Sequence, residues 1–366
     1  MKAKTALVVG GTGPTGPYIV NGLRERGYTV AILHRGNHEI DEIPADVEHI
    51  HIDPHFLETL TPALAGREFD LCIATYGRIR FISEVMAGKT GRFISAGGMT
   101  YRAAADPALV FPRGGASPFY ESDPQPTEEQ SRFFYMIGET ERHVLAQHPN
   151  ATILRYPYVY GAYQVAPREW SIIRRILDGR KALLLPDGGM GLLMHGYAAN
   201  VAAAVLAAVD NPERSAGQAY NCGDERQFTL AQLVEIIADE MDVEVETVAI
   251  PSHLPGPGRL LLRYNRSEHL LTDIQKIRVD LDYKDVVDPE HAIRETTRWY
   301  LNNRPEPGGH IERTIADPFN YDLEDRLIHI LQESEARLRA EGLDDVQRHH
   351  AYAHPKRPGE VDHRGR

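Results

Sequence analysis

Four glycines, Gly10, Gly11, Gly13 and Gly16, fall inside "LVVGGTGPTGPYIV" (Leu7–Val20), between one apolar run and the start of another. The set Gly10, Gly13 and Gly16 reads G-x-x-G-x-x-G. Between a strand and a helix, the first glycine allows the tight turn. The second lets the backbone approach a pyrophosphate, and the third lets the helix pack on the sheet. The amides of Thr12, Gly13, Thr15 and Gly16, with the positive end of the helix dipole, are the donors expected to hold the phosphates. Pro14 removes one donor, at a net cost of ~0.5–1.5 kcal/mol. Pro17 falls in the first helical turn, where a missing N–H does no harm and the fixed φ helps. The loop therefore predicts dinucleotide binding, with a cradle slightly stiffer and one donor poorer than usual.

The next strand ends in His34 and Arg35, where an NAD-selective site places an acid for the ribose hydroxyls. A cation there accommodates a 2′-phosphate, so NADP is expected, with NAD open; the alternative is a solvated loop arginine. Asp53, after the third strand, is placed to accept from an adenine amino group. "HIHIDPH" sets His49, His51, Asp53 and His55 close together in sequence, with His49 and His51 on one strand face. Solvated or packing histidines are the expectation there, and no metal.

The elements that position these residues follow from hydrophobic periodicity. Strands are predicted at Thr5–Val9, Tyr28–His34, Val47–Asp53, Phe69–Tyr76, Gly91–Gly98 and Ala151–Gly161. A helix follows the glycine loop and stops at Gly27. Others cover Ser131–His148, Trp170–Leu177, His195–Asp210, Thr229–Met241 (with Thr229 as cap) and Asp322–Ala340, the last with Gly342 as a stop. "VEVETVAIP" is a further strand. Apolar strands alternating with helices predict an α/β protein with a doubly wound parallel sheet, and ligands at the carboxyl ends of its strands. The expected division is a dinucleotide-binding domain at 1–161 with about 192–228, a smaller substrate domain at 162–191 and 229–313, and a C-terminal helix with a mobile tail at 314–366.

Composition limits the function classes. The 366 residues carry a formal net charge of −12, which disfavours nucleic acid and membrane surfaces as partners. Cys72 and Cys222 belong to no CxxC pair and read as structural thiols of a reducing cytoplasm. The apolar run after Met1 is too brief for a signal peptide and enters a glycine loop instead of a cleavage site.

Several landmarks occur together: "GGTGPTG" (Gly10–Gly16), "ISAGGMTY" (Ile94–Tyr101), Tyr135, "LRYPYVYG" (Leu154–Gly161), "MHGYAANVAAAV" (Met194–Val205), "YNCGDERQFTL" (Tyr220–Leu230) and "TDIQKIRVDLDY" (Thr272–Tyr283). In this order they resemble an extended short-chain dehydrogenase/reductase of the NAD-dependent epimerase/dehydratase family, over about residues 4 to 305. The resemblance implies a Rossmann domain with a small C-terminal substrate domain. It also implies epimerisation, dehydration or reduction through a bound nicotinamide, and a homodimer joined through the long helices that bear the tyrosine.

The chain departs from that pattern at its chemical centre. The family pairs Tyr-x-x-x-Lys with a Ser or Thr at the end of the fifth strand. Here Tyr135 is followed by Glu139, and no lysine lies between Lys89 and Lys181. A carboxylate there pushes the tyrosine pKa upward, so Tyr135 is a proton donor and a poor base. Ser95 is either the strand-end catalytic hydroxyl or a local backbone partner, and Thr100 is the second candidate. The segment "DGGMGLLMHGY" (Asp187–Tyr197) lacks the arginine with which sugar-nucleotide members grip a pyrophosphate. A small, largely apolar or aromatic substrate is therefore expected. Tyr156, Tyr158, Tyr160 and Tyr163 are candidates for an aromatic lining, with part of them in the core, and Tyr156 is assigned to the cofactor. Arg78 and Arg80 are candidate carboxylate binders or solvated loop residues. Two functions compete: an NADP-dependent enzyme, redox or with Glu139 as acid/base in non-redox chemistry, and a catalytically silent dinucleotide-binding regulator.

Overall fold

Ala6, Leu7, Val8 and Val9 are apolar and completely buried, because β1 (Lys4–Val9) lies between two parallel neighbours in a computed structural model of the protein. The structure describes residues 4–101, 117–254, 269–342, 355–362 and 364–365. Around β1 are β2 (Tyr28–His34), β3 (Glu48–His51), β4 (Leu71–Ala74), β5 (Phe93–Gly98), β6 (Thr152–Tyr156) and β10 (Ala219–Asn221). They form one seven-stranded parallel sheet in the order β10-β6-β5-β4-β1-β2-β3. The order reverses at β1, between β2 and β4, so the crevice for a ligand opens at the carboxyl end of β1.

Residues alternate between the two faces of β1, and the helices cover both. Ala6 and Val8 pack with Ile19, Val20 and Leu23 of α1 (Gly16–Glu25) and with Val205 of α6 (Ala198–Asp210). Leu7 and Val9 face Leu60 of α2 (Leu57–Ala63), Ile82 of α3 (Ile79–Met86) and Val144 of α4 (Arg132–Gln147). The Rossmann-type arrangement expected from the sequence is therefore present.

A separate apolar cluster joins Trp170 and Ile173 of α5 (Arg168–Leu177), Leu185 of β8 (Ala182–Pro186), Ile237 of α7 (Leu230–Glu240) and Tyr300 of α9 (Pro289–Asn302). Beside it, β8 pairs with β11 (Glu246–Ile250), and β7 (Tyr158–Tyr160) with β9 (His195–Tyr197). Two short helices follow the sequence logic less plainly, α8 (Gln275–Leu281) and α10 (His310–Ile315). Residues 1–321 form one compact unit and residues 322–366 another, which contains most of α11 (Tyr321–Ala340). Of the expected tail, residues 349–354, 363 and 366 lie outside the described residues.

Two expected elements divide. Ala151–Gly161 is not one strand: Pro157 separates β6 from β7, which leaves the main sheet and pairs with β9. His195–Asp210 is not all helix, because its first three residues are β9. The strand β8 has no counterpart in the sequence reading, while β10, directly before Cys222, is a three-residue strand. Among the described residues, no helix is long and apolar enough to cross a membrane.

Candidate functional site

The chain turns sharply at the carboxyl end of β1. Gly10 and Gly11 take φ of +115° and +99°, the region that favours glycine. The Gly16 amide donates to the Gly13 carbonyl at 3.0 Å, and α1 begins with Pro17 in its first turn. Gly16 is thus engaged within the turn, unlike the free donor expected from sequence, and its own contribution is steric. A Cβ on Gly16 would lie 2.1 Å from the Gly11 carbonyl oxygen, whereas a Cβ on Gly13 would meet nothing within 4 Å. The loop is closed tightly on its protein side and open where the Gly13 backbone faces outward. Thr15 caps α1 without a side-chain hydrogen bond, so its hydroxyl is not engaged at the helix end.

Tyr156, at the end of β6, adds to this cradle. Its hydroxyl is buried beside the Thr15 side chain; burial raises its pKa, and the Thr15 hydroxyl works against that. The open face at Gly13, at the N-terminus of α1, fits a dinucleotide pyrophosphate.

The two residues after Leu33 part company. The His34 imidazole is buried and turned toward β3, where its Nε2 lies 3.1 Å from His49 Nδ1. Arg35 is exposed, and its guanidinium lies 5.8 Å from the centroid of the Tyr76 ring at the end of β4. Asp53 accepts from the His55 amide at 3.0 Å and meets the His55 ring Nδ1 at 2.6 Å. Desolvation opposes ionisation of Asp53, but these His55 bonds and the nearby Arg35 charge hold its pKa below the usual aspartate value. His49 and His51 therefore group with His34, while Asp53 and His55 pair separately.

The tyrosine lies on α4, whose first turn is capped by Ser131. α4 packs on α3 and across the end of β5, where Ile137 faces Gly97 and Gly98. The Tyr135 pKa is raised, first by the charge of Glu139 and then by a hydrogen bond to it. Glu139 is held below its usual value, chiefly by hydrogen bonding to Arg142, whose Nε donates at 3.0 Å; Arg80 of α3 adds to the field. The Arg142 guanidinium also lies 5.8 Å from the Tyr135 ring centroid. Arg142 is a partner of Glu139 that the sequence reading missed, although its i+3 spacing was legible.

The candidate hydroxyls occupy different surroundings. Thr100 is fully buried, and its Oγ1 donates to the Phe134 carbonyl at 2.9 Å, tying the end of β5 to α4. Ser95 is enclosed within β5, paired in register with Ala74 and Ile153. Below them, buried Arg155 of β6 grips Glu141 of α4 through two bonds of 2.8 Å and also donates to the Tyr101 hydroxyl at 3.1 Å.

The remaining tyrosines have fixed partners. Tyr158 donates to the Ala166 carbonyl at 3.0 Å, Tyr163 to Glu42 at 2.6 Å, and Tyr160 to Asp224 at 2.9 Å. Asp224 also accepts from the Tyr197 amide and from Asn200 Nδ2, each at 2.9 Å. Burial outweighs these donors and pushes the Asp224 pKa up to about 7. The folded chain thus keeps a proton between about pH 4 and pH 7 that the unfolded chain has released. Stability from this group is present at low pH and is lost as pH rises through that interval. Asp224→Asn is therefore expected to gain stability relative to the wild type between about pH 5 and about pH 8. Urea midpoints of both proteins at the two pH values check this, and a constant difference would refute it.

In the segment without an arginine, Met190 is exposed and Leu193 is packed. Leu193 joins Met99, Tyr101, Phe119 and Leu270 in a small cluster next to the end of β5. A groove of about 760 Å³ runs between α1 and α9, lined by Pro14, Tyr18, Tyr163, Tyr197 and Trp299 among others.

Comparison with known proteins agrees with this architecture. The family described as "NAD dependent epimerase/dehydratase family" matches residues 114–223. A UDP-glucose 4-epimerase from the hyperthermophilic eubacterium Thermotoga maritima, solved with UDP-glucose, has a TM-score of 0.65 at 17% identity, over 82% of this chain and 100% of that one. A dTDP-glucose 4,6-dehydratase from Bacillus anthracis in complex with NAD gives 0.63 at 15%, over 82% and 98%. A UDP-glucuronic acid 4-epimerase from Bacillus cereus, in complex with UDP-glucuronic acid and NAD, gives 0.63 at 16%, over 82% and 99%. No curated protein matches the sequence significantly. The resemblance drawn from the motifs thus holds for the fold, and for residues 114–223 in sequence.

Proposed function

We propose that this chain is an NADP-binding enzyme of the epimerase/dehydratase type, acting on a small, largely apolar or aromatic carbonyl or hydroxyl compound. The observation that carries the reading is Tyr135, kept protonated by Glu139, whose charge is in turn balanced by Arg142. A phenol with a raised pKa is neutral near pH 7. It donates a hydrogen bond to an oxygen that gains negative charge, and it does not abstract protons efficiently. Reduction of a carbonyl suits it best. The nicotinamide supplies the hydride when bound. Tyr135 then supplies a proton to the substrate oxygen, with Ser95 as a second polarising hydroxyl. Thr100, whose proton is already directed to Phe134, positions α4.

The amides of Thr12, Gly13 and Thr15 would hold the pyrophosphate, with Gly10 and Gly16 shaping the turn and Tyr156 beside it. Exposed Arg35 is the residue available to a 2′-phosphate, and Asp53 faces the adenine end. His34, turned toward β3, contributes to that wall instead of meeting the ribose. Apolar packing by Leu193 supports a substrate without a nucleotide-sugar pyrophosphate. The substrate half is formed by segments 162–191 and 229–313. Exposed Phe133 on α4 supports a homodimer through that helix. The buried thiols Cys72 and Cys222 suit the reducing cytoplasm. The second reading, a dinucleotide-binding regulator without turnover, is favoured by the missing lysine.

The test is nucleotide binding and turnover in parallel. The protein is expected to bind NADPH more tightly than NADH by calorimetry. Across a panel of aromatic and aliphatic ketones, Tyr135→Phe is expected to lower kcat/KM by roughly 10²–10⁴-fold with NADPH affinity unchanged. Turnover that survives Tyr135→Phe would remove this tyrosine from the chemistry. Binding without turnover on any ketone would favour the regulator.

A further inference from the structure

Three imidazoles and one carboxylate converge at the edge of the sheet, outside the glycine loop and the tyrosine site. His34 ends β2; His49 and His51 lie two apart on β3 and so share a face. The parallel register sets His34 directly beside His51 and Ile32 beside His49, which places all three rings together. Their ring centroids are 4.9 to 5.8 Å apart. Glu39, from the loop after β2, reaches over them. One Glu39 oxygen lies 3.1 Å from His49 Nδ1, and the other lies 3.1 Å from His51 Nε2 and 3.7 Å from His34 Nε2.

We propose that His34, His49, His51 and Glu39 form a binding site for a zinc-class divalent cation. Four ligands at the usual zinc–nitrogen and zinc–oxygen distances of ~2.0–2.2 Å in a tetrahedron stand roughly 3.3–3.5 Å from one another. With Glu39 Oε1 as its ligand atom, the separations are 3.1 Å to His51 Nε2 and 3.7 Å to His34 Nε2, and His34 Nε2 lies 3.1 Å from His49 Nδ1, close to that spacing. One ligand atom from each of the four residues lies within 4.8 Å of all the others. Three imidazoles with a carboxylate are a donor set for zinc and its neighbours, unlike the all-oxygen sets of calcium and magnesium.

His34 offers Nε2, the ring atom that faces His49 and Glu39. Coordination through Nε2 requires the proton on Nδ1, and Nδ1 now accepts a long 3.3 Å bond from the Gly36 amide. Losing one such bond is minor beside the apparent affinity of a four-ligand zinc site. The set differs from the one visible in the sequence: Asp53 and His55 pair with each other, while Glu39 and His34 take their places. A cation there would fasten edge strand β3 to the end of β2 and to the loop after it.

Untagged, full-length protein stripped with chelator and titrated with Co²⁺ provides the test, because tetrahedral cobalt absorbs intensely in the visible. The expected result is saturation at about one Co²⁺ per chain, displacement by Zn²⁺, and a higher Tm with metal. Glu39→Gln and His51→Ala, at positions with substantial exposure, are expected to keep the circular dichroism spectrum. Each should lower Co²⁺ affinity at least tenfold, by analogy with the loss of a ligand or its close support. The site is overturned if the wild type gives no tetrahedral spectrum, or if His49→Ala/His51→Ala binds Co²⁺ as the wild type does. The second result would assign the binding to other histidines, such as His349 and His350. The spectrum needs neither nucleotide nor turnover, so this outcome is independent of the proposed enzymatic reading.

Discussion

Gly13→Ala is expected to fold with wild-type stability and to bind dinucleotide at least tenfold more weakly, whereas Gly16→Ala is expected to lose stability before binding can be measured. The two substitutions add the same methyl group three residues apart. At Gly13 it meets nothing within 4 Å of protein, so the folded chain tolerates it. It does occupy the open side of the loop, where a phosphate would approach the Thr12, Gly13 and Thr15 amides. Displacing a phosphate oxygen by even part of an ångström weakens several charge-assisted hydrogen bonds at once, each worth about 1.5–3 kcal/mol. At Gly16 the methyl lies 2.1 Å from the Gly11 backbone oxygen, with Ile32 packed behind Gly11. No rotamer relieves that contact, so α1 must shift from β1. Overpacking of this kind costs typically 1–3 kcal/mol or more. Calorimetry with NADPH and urea denaturation on both variants separate the effects. Equal binding by Gly13→Ala and wild type would place the pyrophosphate elsewhere.

The contrast between these glycines was half legible in the sequence. Strand, turn and helix signals are local, so the spacing predicted where the loop lies, and β2 occupies Tyr28–His34 as expected. Helix caps are also local: Ser131 accepts from the Phe134 amide, and Thr229 forms a reciprocal cap with Gln232. The sequence could not tell that the Gly16 amide is engaged by Gly13, because this depends on the turn geometry. Contacts that cross strands were hidden for a related reason. His34 and Glu39 join His49 and His51 only through the β2–β3 register, and a slip of one residue would turn His51 to the other face. The departure of β7 from the sheet depends on its partner β9, far along the chain. At the tyrosine, the Glu139 charge and its effect on Tyr135 were readable from i+4 spacing. Arg142, which balances that charge, is equally local, at i+3 from Glu139.

The strongest stability effect is expected at Glu141, whose carboxylate ties α4 to the sheet six residues beyond Tyr135. Its side chain and that of Arg155 are 9% and 5% exposed, and two 2.8 Å bonds join them fork to fork. Burial alone would lower the Arg155 pKa; the bonds to Glu141 overcome it and raise the value, so the guanidinium stays charged inside the protein. Gln125 Nε2 donates to Glu141 at 2.9 Å, and Arg155 reaches the Tyr101 hydroxyl and the Glu121 carbonyl, so α4, β6 and the end of β5 share one polar network. Glu141→Gln would leave a buried guanidinium facing a neutral amide, and removal of one partner from such a pair costs about 3–5 kcal/mol. Replacing both, as Arg155→Met with Glu141→Met, removes the uncompensated charge along with the attraction and is expected to recover more than half of that loss. Urea denaturation of Arg155→Met, Glu141→Met and the double variant closes a cycle that gives the coupling directly. If the double variant is as unstable as Glu141→Gln, packing and not charge pairing sets the stability here. If the pairing does dominate, Glu141→Gln is also expected to loosen α4, so any turnover that depends on Tyr135 should fall at temperatures where the double variant still works.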